Sequence, residues 1–98
     1  MEKEYIERSV KRIKELESVF DKVSKALKEE SYKLNDIEYR NKINMLADYL
    51  DSGMWLKDYE LDEKGLIDQS VKRGILSEDG LYNLIFEIQE FIQKQDNS

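Results

Sequence analysis

Apolar residues recur along the first third of the chain at a helical spacing. Ile6, Ile13, Phe20, Leu27 and Leu34 fall every seven residues, and Ser9, Leu16, Val23, Glu30 and Ile37 follow each of them by three. This is an a/d pattern, which sets one stripe of a helix against a partner, and two polar residues, Ser9 and Glu30, interrupt it. Val10, Val19 and Ala26 widen the stripe beyond a coiled-coil seam, so the pattern predicts a bundle helix over residues 2–33. Such a helix would run roughly 48 Å at about 1.5 Å per residue. A compact domain of this chain length is only about 33 Å across. The helix must therefore break, or the domain must be elongated, or another chain must cover the excess.

Tyr39, Ile43, Leu46 and Leu50 lie on one helical face and predict a second helix over residues 36–51. Asn35 or Asp36 would cap its start, and Ser52-Gly53 would end it. Two helices joined by a short turn pack antiparallel, and the alternative is one continuous helix over residues 2–51. Residues 52–76 show no clean period but are dense in apolar anchors, which predicts an ordered, irregular connector. Within it a short helix is expected over Leu66–Arg73, with Gly74 as a positive-φ stop. Ser77 reads as the cap of the last helix, with Glu78 and Asp79 in its first turn, where the helix dipole favours acids. That helix is predicted over residues 78–94, with Gln95–Ser98 as a frayed tail. Leu81, Ile85, Ile88 and Ile92 form its main stripe, flanked by Leu84 and Phe91, while Tyr82 and Phe86 extend the apolar arc to the other side. The arc spans about 220°, more than one packing face requires. The fold class is all-α: an elongated antiparallel hairpin or three-helix bundle, with an ordered acidic connector before the last helix.

Composition supports a helical reading. The 98 residues contain no proline and four glycines, so obligatory breaks are few. The net charge of −6 is uneven. Residues 1–47 carry 10 acids against 11 bases, whereas residues 48–68 carry 7 acids against 2 bases. A negative surface repels phosphate backbones, so direct nucleic-acid binding is not expected. The apolar runs are too short to span a bilayer, and no signal-peptide pattern opens the chain, so a cytoplasmic location without membrane contact is expected.

The chain holds no histidine and no cysteine. Ser-His-Asp and Cys-His catalysis and thiolate zinc sites are therefore excluded. No phosphate-binding glycine loop is present. The acidic run Asp58, Glu60, Asp62, Glu63 resembles the start of a calcium loop, but Glu63 stands where glycine is needed and Gln69 where the closing glutamate is needed. It is expected to be a solvated acidic loop, and no metal, cofactor or catalytic residue is expected. Trp55, the single tryptophan, reads as a core plug under a loop, with a partner anchor as the alternative. Arg73 is expected to pair internally with Asp58, Asp62 or Asp68.

Two segments carry a family resemblance. The run Gly53-Met54-Trp55-Leu56-Lys57-Asp58-Tyr59-Glu60 and the run Lys72-Arg73-Gly74-Ile75-Leu76-Ser77-Glu78-Asp79-Gly80-Leu81-Tyr82 resemble a family of short bacterial proteins, domain of unknown function 4298. The resemblance covers nearly the whole chain. It implies a bacterial cytosolic protein and no particular activity.

These readings lead to a non-catalytic helical protein-interaction module, with a protein partner or a second copy in a homodimer. Trp55, Asp58, Tyr59, Arg73, Tyr82 and Phe86 are the candidate contact residues. The alternatives are an acidic mimic that blocks a basic, nucleic-acid-binding protein, and an enzyme working through carboxylates.

Overall fold

A computed structural model describes residues 2–30, 32–77 and 79–96. Four helices follow in order: α1 (Glu2–Lys28), α2 (Ile37–Asp51), α3 (Met54–Glu63) and α4 (Gly80–Asp96). Two short 3-10 turns, Tyr32–Asn35 and Gly74–Leu76, precede α2 and α4. Among the described residues there is no strand, and the fold is all-α.

The long first helix is shorter than its pattern suggested. It stops at Lys28, and Glu30 adopts a positive φ of 50° with its N–H on the carbonyl of Leu27 at 3.0 Å. One polar break in the heptad pattern is thus the point where the helix has already ended. At 27 residues α1 still runs about 40 Å, and the protein is elongated to accommodate it, 51 × 22 × 20 Å. The start of α2 lies beside the end of α1, where Tyr39 shares a cleft with Lys22, Ala26 and Glu29. The end of α2 reaches back to the level of Ser9 and Arg12, so the two helices form an antiparallel hairpin.

The connector is the main departure from expectation. Residues 54–63 form a regular helix, entered through Gly53 at φ +85°, a left-handed conformation that lets α3 start directly after α2. Its apolar residues show no clean period because the fully buried position of α3 is taken by Asp58. The helix closes with a Schellman motif: Gly65 donates to the carbonyl of Asp62 at 2.9 Å and Leu66 to that of Leu61 at 3.0 Å. Gly65 supplies the required positive φ of 74°. No helix forms over Leu66–Arg73, and Gly74 is not a positive-φ stop. It opens the second 3-10 turn, at a position where a Cβ would lie 3.0 Å from Oε1 of Glu17.

The last helix begins at Gly80 rather than at residue 78, and Asp79 accepts from the N–H of Asn83 at 2.9 Å. Ser77 ends the preceding 3-10 turn instead of capping α4. The expected place of Glu78 in the first turn lies outside the described residues. So do residues 97 and 98 of the expected tail, whereas Gln95 and Asp96 are helical.

The core runs along the hairpin. Ile13 and Val23 of α1, Leu46 of α2 and Ile75 are fully buried, with Leu81 and Ile88 of α4 closing over them. Burial of this kind is worth about 1.5–3 kcal/mol per large apolar side chain.

Candidate functional site

Asp58 lies in α3 and has no exposed surface. This corrects the expectation of a solvated acidic loop. Four donors surround its carboxylate. Arg12 grips both oxygens, with Nε at 2.9 Å from Oδ2 and Nη2 at 2.6 Å from Oδ1. The Tyr49 hydroxyl donates to Oδ2 at 2.6 Å, and the Ser9 hydroxyl donates to Oδ1. A carboxylate offers about four acceptor positions, so this one is filled. Desolvation alone would make a buried carboxylate costly, and the bidentate pair with two hydroxyl donors compensates it. The arrangement ties α1, α2 and α3 together at one point. Asp58 therefore cannot act as a surface contact.

The same network shifts its members. The Tyr49 hydroxyl is held well above its ordinary range, first by burial and then by its bond to Asp58, against a smaller opposing effect of Arg12. The Arg12 guanidinium is also raised, chiefly by its hydrogen bond to Asp58.

A second buried acid, Glu17, accepts from the backbone N–H of Ile75 at 2.7 Å. Trp55 Nε1 donates to the carbonyl of the same residue at 2.9 Å, and its ring stacks on Tyr59 with centroids 5.0 Å apart. Trp55 packs against the core, as the core-plug reading expected, and the two sequence motifs touch each other. Arg73 pairs with Asp62 and also donates to the carbonyl of Asp68 at 2.6 Å. Internal pairing is thus what the structure shows for Arg73, with Asp62 rather than Asp58 as the carboxylate.

Tyr82 and Phe86 stand apart from these. They are 67% and 55% exposed, one turn apart on α4. Beside them runs a groove of about 250 Å³ between α2 and α4, in which Ala47, Leu50 and Asp51 face Tyr82, Ile85 and Phe86. A second cleft of about 400 Å³ lies along α1 between Lys14, Ser18, Lys22 and Lys72, with Asp21 bridging to Lys72 at 3.8 Å. Among the described residues no cluster of three or more carboxylates is placed to hold a metal ion, and no helix is long and apolar enough to cross a membrane. No described buried side-chain nitrogen or oxygen lacks a hydrogen-bond partner.

Sequence reasoning missed Ser9, Arg12, Glu17 and Tyr49. One signal was available: Ser9 occupies a core position of the heptad pattern, and a polar residue there points to a buried polar partner.

The fold and these contacts define a class: a small hairpin-based helical domain pinned by a buried ion pair, with one aromatic helix face left open. The family is Domain of unknown function (DUF4298), whose sequence model matches residues 13–95, and the chain belongs to it. No curated protein and no solved structure matches this chain.

Proposed function

We propose that this protein is a non-catalytic, cytoplasmic helical module that binds another protein through the Tyr82–Phe86 face of α4. One observation carries the reading: two large aromatic side chains are exposed side by side next to an apolar groove, while Trp55, Asp58 and Arg73 are engaged internally. Aromatic side chains of this kind are enriched at protein interfaces, and a clustered apolar surface beside a groove marks interaction sites. Of the six candidate contact residues, Tyr82 and Phe86 fit the role. Asp58, Trp55 and Arg73 instead build the scaffold that holds α4 in place.

The test is site-specific photocrosslinking in cells, with benzoylphenylalanine at position 86 and, as a control, at the exposed polar position Lys64. A discrete adduct from position 86 that disappears with Tyr82→Ser supports the reading. Adducts of equal yield from both positions, or none from position 86, overturn it.

A further inference from the structure

Resting on that reading, we infer that the α2–α4 groove takes a basic amphipathic helix from a different protein. Three observations select this occupant. First, the groove is bounded by two helices, and a chain without strands among its described residues offers no sheet edge for an extended peptide. A helix laid in the groove, anchored by side chains at helical spacing, is the recognition mode that matches two bounding helices. Second, the charge around the groove has one sign. Asp51 lines it, Asp48 neighbours Ala47, Asp79 directly precedes α4 about one turn before Tyr82, and Glu90 lies one turn after Phe86. All four are exposed acids. The bases of these helices lie elsewhere: Arg40 and Lys94 sit beyond Ala47 and Gln89 toward the far ends, and Lys42 is held by Glu38 at 3.1 Å. Third, the one-signed rim argues against a second copy. A two-fold dimer through this face would set the acids of one protomer against the same acids of the other. Like charges facing each other oppose association, whereas lysines and arginines flanking an apolar stripe would meet the rim with complementary charge.

The probes are two synthetic peptides of about 18 residues with the same Leu/Ile/Phe face, one carrying lysine and the other glutamate at its polar positions. Binding to the full chain is followed by calorimetry, with helix content of each variant checked by circular dichroism. The lysine peptide is expected to bind at least about tenfold more tightly than the glutamate peptide, and to weaken as salt rises from about 0.05 to 0.5 M. Phe86→Ala should cost at least about tenfold in binding, and Asp51→Lys should narrow the preference between the two peptides. Equal or tighter binding of the glutamate peptide, still dependent on Phe86, overturns the basic partner but leaves the interaction face standing. Binding of neither peptide, or binding insensitive to Phe86, overturns the basic partner and removes support from the face itself. A concentration-dependent doubling of mass in light scattering, abolished by Phe86→Ala, overturns the foreign partner in favour of a second copy.

Discussion

Trp55 donates its indole N–H to the carbonyl of Ile75 at 2.9 Å, across 20 residues of sequence. On its other side the indole stacks on Tyr59, so α3 grips the 3-10 turn that leads into α4. Trp55→Phe keeps the stacking but removes the donor. It should lower stability by about 1–3 kcal/mol, the cost of a buried carbonyl left without its partner. Urea denaturation of wild type and variant, followed by far-ultraviolet circular dichroism, measures the difference.

Asp58→Asn should be far more damaging. It removes the charge that compensates Arg12 and turns two acceptor positions into donors facing donors. Breaking a buried pair on one side costs about 3–5 kcal/mol, a large part of the roughly 5–15 kcal/mol that stabilises a domain. Tyr49→Phe removes a single hydroxyl donor and should cost about 1.5–3 kcal/mol. The order of the two denaturation midpoints checks the assignment of Asp58 as the centre of the network.

Tyr49 also predicts a pH dependence. Its hydroxyl titrates higher in the folded protein than the ordinary value near 10, because burial and the bond to Asp58 favour the neutral form. A raised folded value stabilises below the unfolded value and loses that contribution as pH rises through the folded one. Above about pH 10 the unfolded chain releases this proton and the folded chain keeps it, so stability should fall by up to about 1.4 kcal/mol per pH unit. Phenolate absorbance should show one of the six tyrosines silent until the protein unfolds. Tyr49→Phe should remove the silent group and flatten the alkaline limb.

Two glycines should fail for different reasons. Gly53→Ala meets no atom within 4 Å, yet its φ of +85° strains any L side chain, at about 1–2 kcal/mol. Gly74→Ala carries no such strain but pushes on Glu17 and disturbs its bond to Ile75. Its loss should disappear in a Glu17→Ala background, whereas the loss from Gly53→Ala should persist there. A double-mutant cycle on urea midpoints separates the two.

Much of the fold was legible in the heptad and helical spacings. The hairpin, the second helix and the open flank of α4 follow from where Ile13, Leu46, Ile88 and Phe86 fall along the chain. The connector was not legible, because Asp58 takes a buried position in α3 and hides the apolar period that would have marked a helix. Nor does any local pattern announce that Arg12 meets Asp58, since the two are 46 residues apart in sequence. Only Ser9, a hydroxyl in an apolar stripe, pointed that way. Glu30, the other polar break, arose from the backbone and had no buried partner to find.

The family match starts at residue 13, whereas the carboxylate of Asp58 is held by Ser9 and Arg12. The matched region and the network around Asp58 therefore do not share a boundary. A chain trimmed to the matched region would keep Asp58 and Tyr49 yet lose two of the three residues that neutralise and enclose the acid. The first three turns of α1, which precede the matched region, supply two of the side chains that make a charged residue tolerable at a fully buried position.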